Sequence, residues 1–321
     1  MTLADTKILS EEIANLKRER NAIILAHNYQ LAEVQDIADF VGDSLELSQI
    51  AADSSAQVIV FCGVRFMAEV ASILCPDKIV LLPSVDSGCL LADMVTTDLL
   101  RQKRKENPNA SVVCYINSPA EVKAESDICC TSANAVQVIK SLPGNDILFI
   151  PDQCLGHYVS TKVDKHIVIW PGYCPPHIQI RPEGILRLKR KYPKAEVIVH
   201  PECSPEVIAL ADKVMGTSGI VNYARRDDIS ELIVGTEIGI IHRLKKENPG
   251  KRFIPASEKA ICPDMKLITL EKVFLSLRDL QPQVKVADKI RDKAGVAIDR
   301  MLTVPSSDSI RGDMLAGRRQ M

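Results

Sequence analysis

The chain alternates short apolar runs with amphipathic stretches. Ile8, Leu9, Ile13 and Leu16 recur at helical spacing and predict a helix over residues 8–20. The run Ala22-Ile23-Ile24-Leu25-Ala26 is short and uniformly apolar, so it reads as a buried strand that ends at His27-Asn28-Tyr29. A helix through Glu33, Val34, Ile37 and Ala38 follows, then a strand over Val58-Ile59-Val60-Phe61. A helix over 66–74 and a strand over 79–82 lead to Cys89. Strands apolar on both faces, alternating with helices, imply parallel sheets covered by helices.

The same order recurs twice. Val112 to Asn117 and Val197 to Glu202 match the first strand and its polar end, with His27, Tyr115 and His200 spaced 88 and 85 positions apart. Glu33, Glu121 and Glu206 keep these intervals, as do Asp39, Asp127 and Asp212, and Ser44, Ser132 and Thr217. The second strands follow at Val58–Phe61, Ile147–Ile150 and Leu232–Val234. Third strands over 79–82, Ile167-Val168-Ile169 and Phe253-Ile254-Pro255 each lead to a cysteine: Cys89, Cys174 and Cys262. Cys174 sits in Trp170-Pro171-Gly172-Tyr173-Cys174-Pro175-Pro176-His177, where the prolines forbid a continuous helix and place it on a loop. Repeats of this length are domains rather than solenoid turns.

The pattern predicts three homologous α/β/α units with parallel sheets, in pseudo-threefold arrangement around a central active site. The units span 1–86, 87–171 and 172–258. Residues 259–321 carry the third cysteine loop and a helical tail, including a helix over Leu270–Leu280, expected to pack on the first unit. The end of the tail, from Ser306, is expected to be mobile.

Composition narrows the function. At 321 residues the chain is long enough for a sizeable core. A net charge of −1 and 4% aromatic residues argue against nucleic acid or an anionic membrane surface as partner. Met1 to Arg20 lack an apolar signal region, and the apolar runs fall far short of a membrane span. Ten cysteines with no C-x-x-C pair suggest reduced thiols in the cytoplasm, not a disulfide framework or a zinc ribbon.

Ligands of parallel α/β units bind beyond the carboxyl ends of the strands. Each unit there offers a polar residue after its first strand, a hydroxyl near a helix start and a cysteine after its third strand. Three thiolates in register suit an iron–sulfur cluster, or zinc with His177 as fourth ligand. The bland alternative is three ordinary buried cysteines. The other seven (Cys62, Cys75, Cys114, Cys129, Cys130, Cys154, Cys203) lack the pattern and read as structural, with Cys62 and Cys203 at strand ends. Asp43-Ser44, Thr131-Ser132 and Thr217-Ser218 each read as a helix start able to hold a small anion, or as plain caps. His200-Pro201-Glu202 pairs a base with a carboxylate, and His27 and Tyr29 suit similar proton chemistry.

These residues resemble quinolinate synthase. The likeness is carried by His27-Asn28-Tyr29-Gln30, Gly42-Asp43-Ser44, Ser87-Gly88-Cys89, Tyr115-Ile116-Asn117, Thr131-Ser132-Ala133-Asn134-Ala135 and Pro151-Asp152 in the first half of the chain. It continues through Gly172-Tyr173-Cys174-Pro175-Pro176-His177, His200-Pro201-Glu202-Cys203, Gly235-Thr236-Glu237 and Cys262-Pro263-Asp264-Met265-Lys266. The resemblance implies a [4Fe–4S] cluster on Cys89, Cys174 and Cys262 with one iron open. It implies condensation of iminosuccinate with dihydroxyacetone phosphate in de novo NAD synthesis, and a functional link to an aspartate oxidase. Tyr115, Asn117, Ser132 and Thr217 would hold substrate carboxylates, with Ser218 as the alternative to Thr217. Ser44 and His27 would lie near the phosphate or the second substrate. Glu202 and His200 would handle protons, Tyr29 would assist tautomerisation, and His177 would line the cavity beside the cluster. Some members carry C-x-x-C at the third cysteine; here Cys262 stands alone. Two other readings are another [4Fe–4S] hydro-lyase acting on a small hydroxy acid, and a zinc-stabilised binding protein for a small dicarboxylate.

Overall fold

The computed structural model describes residues 3–304, so the expected mobility from Ser306 falls outside the described residues. Twelve strands form three four-stranded sheets. The first holds β1 (Ala22–His27), β2 (Phe40–Gly42), β3 (Val58–Cys62) and β4 (Ile79–Leu81). The second holds β5 (Ser111–Tyr115), β6 (Ile128–Cys130), β7 (Asp146–Ile150) and β8 (His166–Ile169). The third holds β9 (Glu196–Val199), β10 (Lys213–Val214), β11 (Glu231–Gly235) and β12 (Arg252–Pro255). Each sheet runs in the order second, first, third, fourth strand, and every ladder within it is parallel.

The repeat read in the sequence is a repeat of register. Ala22 pairs with Val58, Ser111 with Ile147 and Glu196 with Leu232, 36 residues apart each time. The conserved interval of Asp39, Asp127 and Asp212 has a local cause. Their carboxylates accept the backbone N–H of Ile24, Val112 and Val197 at 2.8, 2.8 and 2.7 Å. Their own N–H groups donate back to the carbonyls of the same three residues. Each aspartate thus clamps the start of a short edge strand to the central strand of its sheet, where a two- or three-residue ladder has few bonds of its own.

Central strands are buried beyond their first one or two residues, as their apolar sequences require. Ile167-Val168-Ile169 differs from the buried strand expected: β8 is half-buried because it is the edge of its sheet. The tail divides its contacts. The helix Leu270–Asp279 lies on the first unit, against the N-terminal helix Leu3–Glu19 and β3, whereas Asp288–Thr303 packs on helix Ala120–Lys123 and β6 of the second and on helix Arg65–Leu74 of the first. Among the described residues no helix is long and apolar enough to cross a membrane.

Candidate active site

The carboxyl ends of the strands from all three sheets face one cavity. β1 and β5 end at His27 and Tyr115, and His200 directly follows β9. Two residues further on stand Tyr29, Asn117 and Glu202. Ser44, Ser132 and Thr217 form a third matched set, and Cys89, Cys174 and Cys262 a fourth, beyond β4, β8 and β12. These residues and His177 all line the cavity. Cys62 and Cys203 do not; both are buried in the core.

His27 and His200 occupy equivalent positions and are held by the same device. The N–H of Tyr29 donates to Nδ1 of His27 at 3.2 Å, and the N–H of Glu202 to Nδ1 of His200 at 3.3 Å. A ring nitrogen that accepts a backbone hydrogen must be bare, so each neutral ring carries its proton on Nε2. Burial, together with the other histidines nearby, pushes both side chains down to about 3. The sign of the resulting pH dependence follows. The unfolded chain binds protons at both sites below its ordinary value of 6.5, the folded chain does not. Stability present above that value is therefore lost as pH falls from there towards 3. Each histidine should cost about 2 kcal/mol between pH 6.5 and 5. Urea unfolding at the two pH values checks this; His27→Gln should remove about half of the loss, and a pH-independent midpoint would overturn it.

Glu202 is 2% exposed and stands at the centre of the site. Its carboxylate lies 2.9 Å from Nδ1 of His177 and 3.4 Å from Nδ1 of His200, and Asn117 Nδ2 donates to it at 3.3 Å. Burial opposes its charge, but His177 beside it and the Tyr115 hydroxyl outweigh burial and hold it below the usual carboxylate range. Burial and the Glu202 charge push the Tyr29 and Tyr115 phenols well up, so both are neutral donors. Asn117 Oδ1 is buried without a hydrogen-bond partner, which leaves an acceptor for a ligand in the cavity wall.

The hydroxyls are oriented by donors behind them. Arg243 Nη1 donates to Asn28 Oδ1 at 2.8 Å, which fixes the amide so that Nδ2 donates to Thr217 Oγ1 at 3.0 Å. His200 Nε2 does the same for Ser132 Oγ at 3.1 Å. Each oxygen accepts from the protein, so each hydroxyl hydrogen is left to donate elsewhere. Ser218 is turned away and donates to Glu46 at 2.6 Å. The helix starts are less alike than expected. Asp43, not Ser44, caps Ser44–Asp53, in a capping box with Glu46. In the second unit the helix begins only at Ala135 behind Asn134, and in the third Gly216 precedes Thr217. Local side-chain bonding at Asn134 and the bare glycine explain the shift.

The cysteine loops are tied to one another and to buried carboxylates. Trp170 Nε1 donates to the carbonyl of Met94 at 2.9 Å, joining the Cys174 loop to the Cys89 loop. Ser87 bonds the carbonyls of Gly63 and Asp264, joining the Cys89 and Cys262 loops. A side chain at Gly172 would strike the carbonyl of Pro151, so only glycine allows the bridge between Gly172 and Asp152. Buried Asp152 accepts the backbone N–H of Leu155 at 2.7 Å, and Glu237 Oε1 that of Cys262 at 3.1 Å. Lys266 Nζ lies 2.8 Å from the same Glu237 oxygen. Burial pushes the thiols of Cys89 and Cys174 far up and that of Cys262 up to about 11. Neighbouring charges add to this, from Cys262 on Cys89 and from Glu202 and Cys89 on Cys174. Three thiols that line one cavity and are held protonated by burial are a soft donor set compatible with a metal cluster. Cys174, His177 and Glu202 also bring donor atoms within 4.8 Å of one another.

The sequence matches the protein family described as Quinolinate synthetase A protein over residues 11–303. The chain belongs to the quinolinate synthase family. A quinolinate synthase of Dehalococcoides mccartyi is 59% identical over 298 residues, covering 93% of this chain and 99% of that protein. One of Geotalea uraniireducens is 55% identical over 297 residues, 92% and 98% of the two chains, and one of Methanosarcina barkeri 53% over 296 residues, 92% and 97%. As a member of the quinolinate synthase family the chain is an enzyme. Three buried polar residues of this site carried no role in the sequence reading: Asp152, Thr236 and Glu237. Asp152 and Glu237 are 85 positions apart, so extending the repeat finds them; their counterpart in the first unit is Val64.

Proposed function

We propose that the chain condenses iminosuccinate with dihydroxyacetone phosphate to quinolinate, inorganic phosphate and two waters, a step of NAD biosynthesis in the cytoplasm. One observation carries the reading: three cysteines from matched strand ends line the same cavity as the polar residues of all three units. The names of relatives along nearly the whole chain support the same reaction. Cys89, Cys174 and Cys262 hold a [4Fe–4S] cluster, which when bound supplies a Lewis acid for dehydration.

The chain's own residues do the rest. Ser132 and Thr217, with hydrogens left to donate, bind substrate carboxylates together with Tyr115 and Asn117. Ser44 and the Nε2–H of His27 serve the phosphate or the second substrate. Such neutral donors suit small anions better than a large apolar pocket does. Glu202, ionised and shielded from water, takes the proton released as the carbon–carbon bond forms, with His200 beside it. Tyr29 assists tautomerisation, and His177 holds Glu202 in place. An aspartate oxidase supplies the iminosuccinate.

Protein purified and reconstituted without oxygen, given both substrates, should release one phosphate per quinolinate. Dehydration of a small hydroxy acid without phosphate release would favour a hydro-lyase. Zinc in place of iron would favour a dicarboxylate-binding protein.

A further inference from the structure

We propose that Thr236 is a positioning residue of this site, its single hydroxyl fixing both the Tyr29 phenol and the ring of His177; the inference rests on the reaction proposed above. Thr236 follows β11 directly and is 1% exposed. Its Oγ1 lies 2.5 Å from the Tyr29 hydroxyl and 2.9 Å from Nε2 of His177. The other ring nitrogen, Nδ1, lies 2.9 Å from Glu202 and 3.1 Å from the Cys174 sulfur.

With Glu202 as a carboxylate and His177 as a neutral ring, these contacts admit one consistent order of hydrogens. An ionised carboxylate only accepts, so Nδ1 of His177 carries the proton. The bare Nε2 then accepts from the threonine hydroxyl. That hydroxyl has one hydrogen, so its oxygen accepts from the phenol. The order Tyr29, Thr236, His177, Glu202 leaves no donor or acceptor in conflict. Without the hydroxyl, the imidazole can turn over and face Glu202 with a bare nitrogen, and the phenol loses the acceptor it has among the described residues. Thr236 touches no cavity space, and the equivalent positions in the other units are Gly63 and Pro151. The bridge therefore belongs to the third unit only and is no by-product of the repeat.

The test is Thr236→Val, which keeps the shape and removes the hydroxyl, beside Thr236→Ser, which keeps the hydroxyl and removes the methyl. Thr236→Val should lower kcat about 10- to 100-fold with KM for both substrates within about threefold, and iron and sulfide content unchanged. Thr236→Ser should recover most of kcat. Nitrogen-15 spectra of histidine-labelled full-length chain should show a protonated Nδ1 and bare Nε2 at His177 in the wild type and Thr236→Ser. That pattern should be lost in Thr236→Val. Wild-type kcat in Thr236→Val, failure of serine to restore it, or an unchanged His177 pattern in Thr236→Val would each overturn the proposal. If the wild type forms no quinolinate, the reaction itself is wrong, and the His177 spectra still decide whether the hydroxyl sets the ring.

Discussion

Cys174→Ser is expected to purify as a folded, colourless chain with almost no iron and less than about 1% of wild-type turnover. The reasons lie in the loop. Cys174 precedes the short helix Pro175–Ile178 without capping it through its side chain, so the fold gains little from the sulfur. The loop is set instead by Gly172 against Pro151, by the Gln153 N–H on the Gly172 carbonyl and by Trp170 on Met94. A serine hydroxyl fits the same space, and its cost to stability should stay within about 1 kcal/mol. As a ligand it is hard and hardly ionised, and two thiolates do not hold a cluster that needs at least three. Iron and sulfide per chain, the visible spectrum and circular dichroism check the three parts separately. Cys75→Ser, in the core, is the control and should keep about four irons per chain. Full iron content in Cys174→Ser would sink the cluster assignment.

Glu202→Gln should have the opposite signature, with iron retained and turnover reduced by about 10²- to 10⁴-fold. No cysteine side chain hydrogen-bonds the carboxylate among the described contacts, so the thiol loops have no need of it. The amide keeps one acceptor oxygen and turns the other into a donor, so His177 Nδ1 and Asn117 Nδ2 no longer each face an oxygen. It also removes a base whose charge is maintained in a dry setting. Stability should change little, because a buried charge goes along with its hydrogen bonds. Anaerobic turnover beside iron content is the measurement. Unchanged kcat would take Glu202 out of the mechanism.

The fold was legible where apolar runs were long enough to carry a period. The first and third strands of each sheet were read within a residue or two, because they are central and buried on both faces. The second strands, Phe40–Gly42, Ile128–Cys130 and Lys213–Val214, were not read at all. Two or three residues hold no periodicity, and these are held by Asp39, Asp127 and Asp212 rather than by their own sequence. The candidate cavity residues were legible because the repeat put them at fixed intervals beside strand ends. Thr236 was not, since Gly63 and Pro151 offer no matching hydroxyl. Asn134 was passed over as a cap because the hydroxyls before it looked like better ones. Which hydroxyl hydrogens are left to donate depends on Arg243 and Asn28, 215 residues apart, and no local pattern reports that.

The two ends of the described chain are clasped. The N-terminal helix lies on Leu270–Asp279, Arg20 donates to the carbonyl of Arg278, and Leu81 of β4 bridges to Gln283. During synthesis the first sheet therefore leaves the ribosome early but is roofed last. The part of β3 under Leu270–Asp279 waits for that helix to be made. A chain that stalls before Leu270 leaves an earlier-made part of the molecule, the first sheet, as the part a protease finds open.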